Sequence, residues 1–588
     1  MYFKKKARVI SVLLAAMLAS TAFTSCTTTE NSSSPSNSSG KDSGGIDMST
    51  VDTLSVFSMP SNVSGLQENW FAKVLEEKFA VKLDIISTAG DATQKLQALM
   101  TSGELPDIVV FQDKNKQVSD AIRANMLLNL DDYKNYTKNI EKNAGKSLQY
   151  FRDNVSNDTG NAYAVGGYVG SSANPTTTNW GPGIRWDLYK KVGMPKIDTF
   201  EDLIPVLKKM QELYPTTESG KKVYGMSLWT DWDSAGYGMF HAFEIANLLG
   251  IDVDQVALTL PFIEHNIETD EIKTYLDEDS AYMRAIRFYR ALNQEGLLDP
   301  DSATQKMEGF LAKATEGQVL FAPWVGTMDG YSTVEMKNAD EPIGTMPVFT
   351  SESKVLMFDG AYSMGRAYAW AVGANTKYPE KAVSVIDYMY SEEGAMTVVN
   401  GPQGVTWDYD DEGKPYLTET GLDAIQNGTA LPDGGKIGPY GGLEGGQSVF
   451  QCEGLSVYSL LSTGETISYE GWDSYLGKNN TKLQNDWKEA MGAENIVDYA
   501  KKNDIAVTVP DAYNLVEAKP DDITSKATQI GSIITTNSWK MVFAKDDAEF
   551  NALYDEMVTK AKGLGYDEVV EWSKAALKDA QALEEKYK

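Results

Sequence analysis

Between Thr53 and Phe111 the chain alternates strand-like and helix-like patterns, and few folds accommodate that order. Leu54-Ser-Val-Phe57 predicts a short strand. Leu66, Trp70, Val74, Leu75 and Phe79 recur at helical spacing and predict one buried helix face. Val81, Leu83 and Ile85 alternate with polar residues, as a half-buried strand does. Asp91 to Thr101 predicts a second helix, with Leu96, Leu99 and Met100 on its apolar side. Asp107-Ile-Val-Val-Phe111 reads as a compact buried strand. Strand, helix, strand, helix, strand implies a parallel sheet with right-handed crossovers, hence an α/β class.

A second alternating region follows Trp180. Helices are expected near 201–214, 235–249 and 281–295, and strands near 224–229 and 319–322. Helices are also expected over 379–390 and 392–399, and the tail from Ala548 onward is helical and amphipathic. No internal repeat is evident. With 588 residues, two or more domains are expected, because single cores stop growing near about 250–300 residues. The net charge of −30 argues against a nucleic-acid partner, since phosphate contacts need clustered Lys and Arg. Two cysteines and two histidines supply a Cys/His mechanism or a His metal cluster poorly.

The first residues carry a separate message. Lys4, Lys5, Lys6 and Arg8 precede an apolar run from Val9 to Ala19, then Thr24-Ser25-Cys26. The run is shorter than the ~20 residues a spanning helix needs, so residues 1–25 read as a cleaved export signal. A cysteine where the mature chain would begin resembles a bacterial lipoprotein signal, although Phe23 stands where that pattern prefers an aliphatic residue. The resemblance implies lipidation of Cys26. Thr27 to Gly45 is almost all Ser, Thr, Asn and Gly, so residues 26–50 are expected to form a disordered tether. With Cys26 lipidated, Cys452 would have no disulfide partner.

Several stretches, in order, resemble the sugar-binding family of bacterial extracellular solute-binding proteins, in particular its long oligosaccharide-binding lipoproteins. They are Met100-Thr-Ser-Gly-Glu-Leu-Pro-Asp-Ile-Val109, Leu127-Leu-Asn-Leu-Asp-Asp-Tyr133, Gly183-Ile-Arg-Trp-Asp-Leu-Tyr-Lys-Lys-Val-Gly-Met194 and Thr199-Phe-Glu-Asp-Leu203. Further on come Glu316-Gly-Gln-Val-Leu-Phe-Ala-Pro-Trp324, Trp370-Ala-Val-Gly-Ala-Asn-Thr-Lys-Tyr-Pro-Glu-Lys-Ala-Val383, Ile386-Asp-Tyr-Met-Tyr-Ser-Glu-Glu-Gly394 and Asn400-Gly-Pro-Gln-Gly-Val-Thr-Trp407. The resemblance implies a periplasmic-binding-protein-like fold: two α/β lobes joined by hinge segments, with a ligand cleft between them. One lobe would take 52–165 and 350–400, the other 170–345 and 405–588. It also implies a monomeric, lipid-anchored receptor on the extracellular face of the cell membrane. That receptor would hand an oligosaccharide to the permease subunits of an ABC importer.

Sugars present apolar C–H faces and many hydroxyls, so aromatic planes beside carboxylates and amides are the expected contacts. Trp180, Asp231, Trp232, Trp324, Asp329, Asp359, Trp407 and Trp472 lie in loop-like, polar or Gly-rich surroundings and are the candidates. Arg185 is a further candidate by its place in the family's Ile-Arg-x-Asp segment, with a structural ion pair as the alternative. No cofactor and no metal is expected. The stretch 214–224, where some relatives carry a calcium loop, holds one carboxylate and two lysines. Asp408 to Glu419 nearly fits an EF-hand spacing, but the resemblance makes it a hairpin around Asp411-Glu-Gly-Lys414. Two other classes stay open on the residues alone. A glycoside hydrolase or lyase would need paired carboxylates, and an adhesin lipoprotein would bind polysaccharide without transport.

Overall fold

The structure, a computed structural model, describes residues 45–588 apart from 62, 89–91, 171–180, 234–236, 253–258, 358–361, 438–449, 451, 477–479 and 588. Cys26, Trp180 and Asp359 lie outside the described residues, as do the expected signal and residues 26–44 of the expected tether. Ile46–Lys588 forms one compact unit.

The expected parallel sheet is present. Strand Asp52–Ser58 pairs in parallel with Val81–Ile85 on one side and Ile108–Phe111 on the other. Ala369–Val372 then adds antiparallel to Ile108–Phe111, and Ala164–Gly166 antiparallel to it in turn. Two-residue Gly65–Leu66 closes the far edge. At its centre the sheet is covered on both faces, as the continuous apolar run Ile108–Phe111 requires, whereas Val81–Ile85 leaves Asp84 exposed. Leu54, Val56, Ile108, Val110, Trp370 and Val372 enter one apolar cluster, while Phe57, Val109, Phe111, Ala369 and Ala371 enter the other. Asp107 sets the start of its strand: its carboxylate accepts from Ser55 N at 2.7 Å and Thr376 Oγ1 at 2.6 Å.

The first helix is Trp70–Phe79, capped by the Asn69 side chain, which accepts from Phe71 N and Ala72 N at 3.1 Å each. That cap excludes Leu66, expected on the helix face; Leu66 sits on the edge strand, 48% exposed. Helix Ala92–Ser102 ends at Gly103, whose φ of +78° a glycine adopts without a Cβ clash. Helices Leu203–Leu213, Phe240–Asn247, Ala281–Gln294, Pro379–Met389 and Glu392–Asn400 correspond to expected ones. No strand forms over 224–229; Tyr224 and Met226 make only isolated parallel bridges, to Val319 and Leu298. A smaller antiparallel sheet joins Phe321–Ala322, Gly183–Arg185 and Thr345–Pro347. The helical tail is two helices, Asp547–Gly563 and Ile-free Tyr566–Tyr587, parted at Gly565 (φ +93°). It is preceded by Asp521–Val542, a helix not anticipated because Ser and Thr crowd its surface.

The hairpin Trp407–Tyr409/Pro415–Leu417 is formed, and Asp410 Oδ1 accepts from Glu412 N at 2.9 Å and Lys414 N at 2.8 Å inside its turn. Its packing changes the expected grouping of the chain. Trp407, Leu417, Leu455, Ile467 and Trp472 pack with Ala395, Met396 and Val399 of helix Glu392–Asn400. Ala424, Leu431, Ile437, Phe450 and Cys452 join the cluster on the first sheet. The named apolar residues of 405–472 therefore pack with helix Glu392–Asn400 and with the cluster on the first sheet, where the expected grouping put them with 170–345. No helix among the described residues is long and apolar enough to cross a membrane.

Candidate functional site

In a parallel sheet, ligands collect beyond the carboxyl ends of the strands, where loops leave in different directions. Three strands here end on the same side, and the loop Gln112–Asn115 follows the central Ile108–Phe111. The loop is held from within. Gln117 Oε1 accepts from Gln112 N and Asp113 N, and Asp113 Oδ1 accepts from Asn115 N and Lys116 N. Gln112 through Lys116 line a cavity of about 390 Å³, closed on the other side by Tyr513, Asn514, Val516, Lys519 and Thr524.

Two lysines shape this cavity. Lys114 is buried; its Nζ donates to Gly365 O at 2.7 Å and lies 4.9 Å from the Tyr150 ring. Burial pushes its pKa down to about 7, with Asp511 and Asp113 opposing. Burial likewise lowers Lys519 to about 8, opposed by Asp113. Lys519 Nζ stands 5.6 Å from the Tyr237 ring, and other aromatic residues gather around Trp232 and Trp324.

Those aromatics form a second surface. Trp232 and Trp324, both half-buried, lie with ring centroids 6.0 Å apart and planes at 36°. Trp232 packs edge-on against Trp229 at 5.5 Å and Phe240 at 4.9 Å. Buried Asp233 anchors the group, accepting from Phe240 N at 3.0 Å and Trp539 Nε1 at 2.7 Å. Burial raises its pKa, against those two hydrogen bonds. Helix Asp521–Val542 thus brings Thr524 to the cavity and Trp539 to the aromatic group. Its Gly531 is needed where it stands: a Cβ would come within 2.9 Å of Tyr237 Cα, and Tyr237 itself holds φ +60°.

The candidate residues divide accordingly. Trp232 and Trp324 are brought together. Asp231, beside them in the chain, is exposed and pairs with Lys306 at 2.8 Å and Met307 N at 2.7 Å. Asp329 lies on the 3₁₀ helix Val325–Tyr331 that Trp324 begins; it is exposed, and surrounding protein still raises its pKa, with Lys337 opposing. Arg185 takes the structural alternative. It is 2% exposed, bonded to Asp187 through two nitrogens at 2.9 Å each and flanked by the rings of Tyr331 and Tyr214. Burial disfavours its charge, but Asp187 outweighs that and the pKa rises. Trp407 and Trp472 are 2% and 1% exposed, and their indole N–H groups donate to Gly401 O and Thr466 O at 2.8 Å each. Both are core packing groups in this arrangement, since neither ring face is open. The cavity residues Asp113, Lys114, Asn115 and Lys519 were not anticipated. The signal for the first three was their place directly after a central parallel strand.

This fold and site define a class. The model of a family described as bacterial extracellular solute-binding protein matches residues 70–406, more than half of the chain, and the chain belongs to that family. A curated relative, "Lipoprotein LipO" of Bacillus subtilis (strain 168), is 24% identical over 268 residues, covering 45% of this chain and 48% of its own. The chain thus spans about half the length of that relative. Among solved structures, a "HMO binding ABC-transporter associated Solute Binding Protein" from Bifidobacterium longum infantis matches with TM-score 0.59 and 18% identity. It covers 90% of this chain and 99% of its own. The S. pneumoniae "ABC-transporter substrate binding protein FusA in complex with kestose" matches with TM-score 0.57 and 14% identity, over 91% and 99%. At these identities the likeness shows the fold: a periplasmic-binding-protein-like α/β architecture.

Proposed function

We propose that this chain is a non-catalytic, lipid-anchored receptor that binds an oligosaccharide outside the cell and passes it to the permease subunits of an ABC importer. The observation that carries the reading is the half-buried Trp232–Trp324 pair with carboxylates Asp231 and Asp329 next to it in the chain. Half-buried indole faces beside polar groups suit the two-sided chemistry of a sugar ring. The family membership and the kestose named for one structural neighbour support the same reading. Anchoring through Cys26 is supported by the lipoprotein relative and by the signal-like residues before it. Two acyl chains would hold firmly, at about 0.8 kcal/mol per buried CH2.

The test uses residues 27–588, without lipid, against defined oligosaccharides. A ligand at 100 times its dissociation constant adds about 2.7 kcal/mol and raises the melting temperature. A shift with one glycan class, the glycan recovered intact, is expected. A shift accompanied by cleavage would replace the receptor with a hydrolase, and no shift across the panel would refute oligosaccharide binding. For the anchor, Cys26→Ala is expected to move the protein from membrane to medium.

A further inference from the structure

Tyr150 lies where three parts of the molecule meet. Its hydroxyl donates to Asn115 Oδ1 at 2.7 Å, and Asn115 lines the cavity. Asn115 Nδ2 also donates to Val516 O at 3.3 Å, so the side chain ties the strand-end loop to the opposite cavity wall. The Tyr150 ring faces the Lys114 ammonium, which holds Gly365 O. Gly365 belongs to the stretch where the chain returns to the first sheet: its φ is +77°, and a Cβ there would come within 2.6 Å of Gly166 Cα. On its outer side Tyr150 meets Tyr587 edge-on, at 6.0 Å and 64°.

Tyr587 is itself fastened. Its hydroxyl donates to Asp153 Oδ2 and accepts from Asn154 Nδ2, both at 2.8 Å, and Lys586 pairs with Asp153 at 3.0 Å. The last turn of helix Tyr566–Tyr587 is therefore attached to helix Gly145–Asn154, while the body of that helix buries Val569, Val570, Ala576 and Leu577 in the larger core. An exposed ion pair such as Lys586–Asp153 contributes little alone. A half-buried ring with both hydroxyl roles occupied fixes a position.

We infer that Tyr587 and Tyr150 are positioning residues for the cavity: the last helical turn, through the Tyr150 ring, holds the loop Gln112–Asn115 and the Lys114–Gly365 link in place. Neither tyrosine is placed among the cavity-lining residues, so the effect on a ligand would be indirect. The inference does not depend on what the ligand is.

Hydrogen–deuterium exchange on the ligand-free chain tests it. Tyr587→Ala is expected to accelerate exchange severalfold in peptides spanning 112–118 and 363–368 as well as in 566–587, with the hairpin 407–417 unchanged. Tyr150→Phe keeps the ring and removes the Asn115 bond. It is expected to accelerate 112–118 and leave 566–587 as it was. Lys578→Ala, on the same helix away from this contact, is expected to alter neither loop. Acceleration confined to 566–587 in Tyr587→Ala, or an unmoved 112–118 segment in Tyr150→Phe, would overturn the inference. These readouts need no glycan, so failure here is separable from failure of the receptor reading.

Discussion

Trp232 and Trp324 lie 6.0 Å apart, and Trp407 and Trp472 lie 6.1 Å apart. The spacing is the same and the settings are opposite. The first pair is half-buried and leans on a wall of other aromatics anchored by Asp233. The second pair is closed off by Leu417, Leu455, Val457 and Ile467, with each indole N–H bonded to a backbone carbonyl. A ring can either complete a core or offer a face, and the neighbours supplied by distant parts of the chain decide which. The comparison separates stability from recognition, and substitution should separate them too.

The largest effect belongs to the closed pair. Trp407→Ala is expected to cost about 3–5 kcal/mol, the usual range for emptying a buried aromatic site. Denaturant unfolding checks it, and a loss below 1 kcal/mol would return Trp407 to the ligand candidates. Gly531→Ala, in the helix that reaches both the cavity and the aromatic group, should cost about 1–3 kcal/mol by forcing Tyr237 aside. It should also weaken ligand binding, whereas Trp407→Ala at a temperature where it stays folded should not. Trp232→Ala is expected to cost under about 2 kcal/mol of stability and to weaken glycan binding about tenfold or more, equal to ~1.4 kcal/mol. Calorimetry with a glycan found by melting shift reads this, and unchanged affinity would remove the open pair from the site.

The smallest effect sharpens the boundary of the closed cluster. Glu453 is buried at its base, accepting from Val457 N at 2.9 Å. Burial raises its pKa to about 7, opposed by Val457 N, Ser456 and Arg366. The folded state then holds a proton more tightly than an unfolded glutamate, whose pKa is about 4.3. Stability from this group is complete below the unfolded pKa and is lost as pH rises through about 7. Glu453→Gln should accordingly gain stability over the parent at pH 8 and gain nothing near pH 4. An equal difference at both pH values would show that the carboxyl is not shielded.

Much of the fold was legible because local periodicity and core burial coincide in it. The strands over 52–58, 81–85 and 108–111 follow from alternating or continuous apolar runs, while the Asn69 cap that starts the first helix after Leu66 was not read from the sequence. The hairpin at 407–417 was expected from the family resemblance, and it is formed. Less was legible where apolar residues wait on a distant partner. Tyr224 to Trp229 has strand composition but only single bridges, because its neighbours are Val319 and Leu298 rather than a continuous strand. Ala424, Leu431, Ile437 and Phe450 carry no local sign of the core beside the first sheet that they join.

At the candidate site the division is the same. Residue types alone pointed to Trp232 and Trp324, and equally to Trp407 and Trp472. Arg185 could not be placed until Asp187, Tyr214 and Tyr331 were seen around it. Sequence by itself determined the α/β class, the order of the first strands and helices and the chemistry available, since those depend on contacts a few residues apart. Tertiary structure alone decided which indoles stay open, which lysines line the cavity and that Tyr587 reaches Tyr150. Those outcomes depend on burial and on contacts between residues hundreds of positions apart, which no local pattern encodes.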